Sequence, residues 1–352
     1  MTTDATTARR QFHVAMTADF YDATGAPKYK DLGLSIFENQ PQITCAPFAE
    51  HRKEIGPDQL RGAQGVIVLT PSVTEKSVSE AADLLAVGRF GVGYDAVDVN
   101  ACTEADVLVF ITAGAVDRPV AEATVGWMIA LTHHARTKDQ LVRTGRWDDR
   151  SKFMGRELRD RTLGVIGLGG IARQLIELLK GWGMNPPLAF DPFMDPATAQ
   201  ELGVRLVSLD ELLQSADFVS IHCPLTEQTR GLIGRRELGL MKPNAYLLNT
   251  ARGGIVDEDA LYEALKADRI AGAALDCFAK EPVTSPSRFA EFDNVLLAPH
   301  SIAWTDELFR DIGRAACQGM VDLSLGRKAR GVVNPQVFDR PTFQNKWKRL
   351  CG

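Results

Sequence analysis

Seven short apolar runs lie between Thr162 and Pro299, and they constrain this chain more than any other feature: TLGVIG, LAFD, RLV, DFVSIHC, AYLLN, AGAALD and NVLLAP. One helix or loop separates each from the next. Buried strands that alternate with helices build a parallel sheet, because a parallel crossover must return the length of the sheet before the next strand begins. Seven of them fit a doubly wound sheet. A second series precedes them, in which FHVAM, GVIVL, GRFGVG and DVLVFIT read as strands and SVSEAADLL as a helix, giving a smaller α/β domain. A long amphipathic helix is expected from Pro119 to Thr144, opened by a first-turn proline and closed by Gly145. Ser208-Leu209-Asp210-Glu211 reads as a capping box, and the tail turns helical again from about Trp304.

At 352 residues the chain is too long for one ordinary domain and suggests two. A net charge of -5 and a pI near 5.8 argue against nucleic acid or an anionic membrane as the main partner. The longest apolar stretches, such as VGWMIAL, stop far short of the roughly 20 residues that span a bilayer. Arg9 and Arg10 near the start are followed by no apolar signal region, so the expected compartment is the cytoplasm. Six cysteines are scattered without a C-x-x-C and read as free thiols. His133 and His134 are adjacent, point to different faces of a helix and cannot chelate together, so no metal is expected.

The first run of the stronger series ends in Gly167-Leu168-Gly169-Gly170-Ile171-Ala172, directly after a strand and directly before a helix. Gly167 permits the tight turn and Gly169 lets the backbone approach a pyrophosphate. Ala172 is the small residue where helix packs on strand. The pyrophosphate would sit at the helix N-terminus, with Gly170 and Ile171 in the first turn. The second run ends in Asp191, 24 positions after Gly167 (191 minus 167). An acid there bonds both ribose hydroxyls and repels a 2′-phosphate, which favours NAD over NADP.

Five motifs in order carry a resemblance over nearly the whole chain: GRFGVGYDAVDV, VIGLGGIA, LLNTARGGIVDEDAL, ALDCFAKEP and LAPHSIAWT. On these the chain resembles the D-isomer-specific 2-hydroxyacid dehydrogenases, a family that includes phosphoglycerate, glycerate and D-lactate dehydrogenases. The resemblance implies an α/β protein of two doubly wound parallel-sheet domains. A flavodoxin-like substrate-binding domain would span residues 1–117 plus 303–352, and a Rossmann NAD-binding domain residues 118–302. It implies that Arg252 binds the substrate carboxylate and polarises the carbonyl that accepts hydride, a task suited to a planar guanidinium. Glu281 would bond the catalytic histidine, and His300 would be the general acid/base. It further implies cofactor contacts from Cys223, Pro224, Thr229, Thr250, Ala251 and Asp276. Gly91, Val92 and Gly93 would form a backbone loop for the substrate carboxylate, with the substrate in a cleft between the domains.

Two positions depart from the family pattern. Asp117-Arg118 stands where many relatives have a small polar residue, and Trp304 follows His300 where small residues are common. Arg118 either grips a second anionic group on the substrate, or pairs with Asp117 or stays solvated at the helix start. Trp304 either walls the substrate pocket or packs between domains. The apolar residues of the 119–144 helix exceed one exposed face, which predicts a homodimer. The reading is thus an enzyme moving hydride between NAD(H) and C2 of a D-2-hydroxy acid or 2-keto acid. The rivals are an NAD(H)-sensing corepressor-like scaffold and a phosphite-type dehydrogenase of the same family.

Overall fold

The computed structural model describes residues 11–351, so Arg9 and Arg10 lie outside the described residues. The chain divides into two compact units, Met1–Val116 with Thr305–Gly352, and Asp117–Trp304. The first holds a parallel sheet of five strands: β1 (Phe12–Met16), β2 (Ile43–Pro47), β3 (Gly65–Val68), β4 (Ala86–Arg89) and β5 (Leu108–Ile111). Their spatial order β2-β1-β3-β4-β5 is the flavodoxin-like order. The second unit holds seven parallel strands: β6 (Leu163–Ile166), β7 (Leu188–Phe190), β8 (Arg205–Leu206), β9 (Phe218–Ile221), β10 (Tyr246–Asn249), β11 (Gly272–Leu275) and β12 (Val295–Leu297). They run β12-β11-β10-β9-β6-β7-β8, with the order reversing between β6 and β9. That reversal is where open α/β sheets bind ligands, outside the carboxyl ends of the strands.

Continuous apolar runs form these strands because both faces of the sheet are covered. Val165, Tyr246, Leu248 and Ala274 pack into the core on one face, while Ile166, Leu247, Ala273 and Leu275 pack into the core on the other. Among the described residues no helix is long and apolar enough to cross a membrane.

All seven runs of the stronger series are strands, but the first unit differs from expectation in three places. β2 has no counterpart in the sequence reading; it is an edge strand, mostly exposed and ending in Pro47, which lacks the alternation that marks a strand. β4 begins two residues earlier than the expected GRFGVG, so Gly91, Val92 and Gly93 lie in the loop beyond it. Only Glu75–Val78 is helical where SVSEAADLL was expected to be, because the chain turns at Ala81 and runs into β4, with Leu85 donating to the Gln64 carbonyl.

The expected helix from 119 to 144 is two helices, Asp117–Thr132 and Ala135–Arg143. The Thr132 hydroxyl donates back to the Met128 carbonyl at 2.8 Å, and the Thr132 carbonyl accepts from Arg156 N–H at 2.9 Å, so that carbonyl is not left to the helix. His134 then takes a left-handed conformation (φ 53°, ψ 41°), which breaks the axis. His133 and His134 therefore sit in a turn, not on two faces of one helix. The capping box at Ser208 is half made: Ser208 accepts from Glu211 N–H at 3.2 Å, while the Glu211 carboxylate pairs with Arg205 at 2.8 Å.

Candidate active site

The glycine turn is built by close approach. Gly167 has φ 90°, and a Cβ there would lie 2.9 Å from the Cys223 nitrogen, so only glycine lets the end of β6 pass the end of β9. A Cβ on Gly169 would meet nothing within 4 Å, leaving open space before the Gly170–Leu178 helix. Ala172 is fully buried where that helix meets the sheet. The Asp191 carboxylate is tied to the same turn: Oδ2 accepts from Leu168 N–H at 2.8 Å and Oδ1 from Phe193 N–H at 3.0 Å. Each oxygen retains a lone pair for a ribose hydroxyl.

After β9, burial pushes the Cys223 thiol up to about 11, so it is a neutral group beside the turn. The following loop closes on itself, with the Thr229 hydroxyl donating to the Pro224 carbonyl at 2.6 Å. After β10, the Thr250 hydroxyl oxygen is buried with no hydrogen-bond partner. A buried polar atom left unsatisfied is costly, which marks it as a contact reserved for a ligand. These three features, an open space over Gly169, an acid with spare lone pairs and an orphaned hydroxyl, suit a dinucleotide.

Arg252 is presented by a turn that Asn249 wraps. The Asn249 amide donates to the Arg252 carbonyl at 2.9 Å and its oxygen accepts from Ala251 N–H at 3.1 Å. Arg252 Nη1 donates to the Ala251 carbonyl at 2.6 Å. A Cβ on Gly253 would lie 1.8 Å from the Phe278 carbonyl oxygen, so the turn has no room for any other residue. Asn249 was not singled out in the sequence; a buried polar residue closing an apolar strand was the available signal.

His300 Nδ1 donates to Glu281 Oε2 at 2.8 Å, and Glu281 Oε1 accepts from Phe278 N–H at 2.8 Å. Burial works to raise the Glu281 carboxyl, but the bonds from His300 and Phe278 and the charges of His300 and Arg252 hold it below the ordinary value. Its carboxylate fixes the proton on Nδ1 and leaves Nε2 for chemistry. His300 itself is left-handed (φ 54°), a conformation a histidine keeps only where its surroundings impose it. Asp276 imposes it, since Oδ1 accepts from Ser301 N–H at 2.8 Å and Ile302 N–H at 3.1 Å. Burial pushes the Asp276 carboxyl up against those two bonds.

Arg118 pairs with Glu122 one turn along its helix at 2.5 Å, and not with Asp117. Trp304 is 54% exposed, its N–H donating to the Ser301 carbonyl. Gly91 (φ 130°) follows β4 in the first unit and donates to the Thr112 hydroxyl at 3.0 Å. A pocket of ≈ 300 Å³ in that unit, lined by His13, Phe48, Glu50, Arg52, Asp58 and Gln59 among others, holds an arginine already paired with both carboxylates.

Residues 125–301, half of the chain, match the family described as D-isomer specific 2-hydroxyacid dehydrogenase, NAD binding domain. The chain belongs to that family. It is 39% identical over 282 residues to a D-3-phosphoglycerate dehydrogenase of Archaeoglobus fulgidus, a match covering 80% of this chain and 53% of that protein. The chain spans about half the length of the curated relatives it matches. Among solved structures it resembles D-lactate dehydrogenase from Aquifex aeolicus complexed with NAD and lactic acid (TM-score 0.77, 26% identity, 91% of this chain and 98% of that one). It also resembles a glyoxylate reductase from Paecilomyes thermophila (TM-score 0.79, 25% identity, 93% and 99%).

Proposed function

We propose that this family member moves a hydride between NAD(H) and C2 of a D-2-hydroxy acid or 2-keto acid. The observation that carries the reading is the 2.8 Å bond between His300 Nδ1 and Glu281, at the strand ends that also present Arg252 and the glycine turn. NAD, held by the Gly167–Ala172 turn, Asp191 and Thr250, supplies the hydride acceptor or donor when bound. The chain's own residues do the rest. Arg252 holds the carboxylate of the acid and polarises its C2 oxygen. His300 Nε2 takes the hydroxyl proton during oxidation and returns it during reduction, while Glu281 keeps the ring oriented. Arg118 and Trp304 are the candidates for selecting the rest of the acid, and a second anionic group gripped by Arg118 would compete with Glu122. Val142, Trp147 and Met154, all strongly exposed and close in sequence, support a homodimer built through the segment after the Asp117–Thr132 helix.

The test is a panel of 2-keto acids, including dicarboxylic, sugar-derived and phosphorylated ones, offered with NADH to purified protein and to the His300→Ala variant. The expected result is turnover with at least one acid, cut by roughly 10²–10⁴-fold in the variant with NADH affinity unchanged. Tight NADH binding without turnover of any 2-keto acid, or equal turnover by H300A, overturns the proposal.

A further inference from the structure

Gly170, the first residue of the helix at the dinucleotide turn, faces a carboxylate. A Cβ on Gly170 would lie 2.0 Å from Asp117 Oδ2 and 2.9 Å from Asp117 Oδ1, so the acid fills the space any side chain at 170 would take. The two helices that meet there, Asp117–Thr132 and Gly170–Leu178, pack along each other. Asp117 does not cap the second helix, and it makes no hydrogen bond or ion pair among the described residues.

The charged groups on the elements packed against it are engaged elsewhere. Arg118 and Glu122 on its own helix pair with each other. On the opposing helix Arg173 donates to the Leu168 carbonyl and Glu177 pairs with Lys180. Asp276 and His300, which follow the strands beneath, are bound to the Ser301–Ile302 backbone and to Glu281. Arg136, Lys138, Asp139 and Arg143 belong to the next helix, at the far end of the Asp117–Thr132 helix. Half-buried and without a cation, the Asp117 carboxyl is pushed up from its ordinary value by burial alone.

An unpaired carboxylate against the first turn of a phosphate-binding helix repels the anion that the turn is shaped to take. The same group carrying a proton becomes a hydrogen-bond donor to a phosphate oxygen. We infer that Asp117 sets the affinity for the dinucleotide by taking up a proton from solvent when the diphosphate binds, so that binding weakens as pH rises. The inference rests on the cofactor reading of the site. No covalent step is involved: one proton moves from water to the Asp117 carboxylate, and it leaves when the dinucleotide leaves.

The experiment is calorimetric titration of the full chain with NADH from roughly pH 5 to pH 9, in pairs of buffers with different ionisation enthalpies, which counts the protons exchanged. Wild type is expected to take up a proton on binding and to lose affinity by up to about tenfold per pH unit above the free carboxyl's midpoint. Asp117→Asn is expected to lose that uptake and the slope while binding at least as tightly at high pH. Asp117→Ser checks that the outcome belongs to the carboxyl and not to one replacement. Proton uptake unchanged in both variants overturns the inference while leaving the cofactor reading intact. No NADH binding by wild type at any pH overturns the cofactor reading, and the inference with it.

Discussion

Gly253 shows how much of the site depends on one missing side chain. Arg252 can be presented at the end of β10 only because the next residue lets the backbone pass the Phe278 carbonyl, at a point where a Cβ would sit 1.8 Å from its oxygen. The obstacle is backbone, which cannot rotate away, so Gly253→Ala must displace either the Arg252 turn or the segment leading to Glu281. We expect a loss of about 2 kcal/mol or more in stability, as for other overpacked sites, read from a denaturation midpoint. Misplacement of the guanidinium should also lower turnover on the order of 10²-fold. Wild-type turnover from G253A would show that the anchoring role proposed for Arg252 does not need this turn. In the sequence the pair of glycines after Arg252 was visible, but the reason for the first was not, because its obstacle lies 25 residues on (278 minus 253).

The loop after β12 is held from β11, and this element relation gives Asp276 a second candidate role beside the cofactor. The sequence reading placed Asp276 at the cofactor, whereas its Oδ1 accepts both Ser301 N–H and Ile302 N–H and so holds His300 in its left-handed conformation. A positioning role predicts that Asp276→Ala lowers kcat by about tenfold or more with NADH affinity kept, since only proton transfer loses its geometry. Weakened NADH binding with kcat intact would instead assign Asp276 to the cofactor. Elements were legible in proportion to their burial. The central strands of the second sheet, such as β10 and β11, are buried along their whole length and stood out, while β2, exposed at an edge and closed by Pro47, gave no signal. The break after Thr132 was hidden because the Arg156 N–H that takes the Thr132 carbonyl arrives from a separate loop.

In the whole molecule, the order β12-β11-β10-β9-β6-β7-β8 gathers the glycine turn, Asp191, Thr250, Arg252, Asp276 and His300 at carboxyl ends of one sheet. The same packing half-buries His222, directly after β9, with its backbone against Gly167 of the glycine turn, and that placement bears on acid stability. Its ring bonds the Ser220 hydroxyl through Nε2 at 2.8 Å, and burial pushes its pKa down to about 4. The unfolded chain binds a proton at this ring near its ordinary value of about 6.5, while the folded chain binds it only near 4. Between those values the unfolded state holds more protons, so stability rises with pH; it is fully present above about 6.5 and lost as pH falls toward 4. The ceiling is about 3 kcal/mol for a shift of this size. Glu281, held below its ordinary value, contributes in the same direction but in a lower window, lost only as pH falls below that of a free carboxyl. His222→Gln keeps a polar group toward Ser220 without the titration. Its denaturation midpoint is therefore expected to change less than that of wild type between roughly pH 7 and pH 4, and to follow wild type below that. Parallel curves over the upper window would mean that the folded protein accepts the proton at His222 as readily as the unfolded chain does.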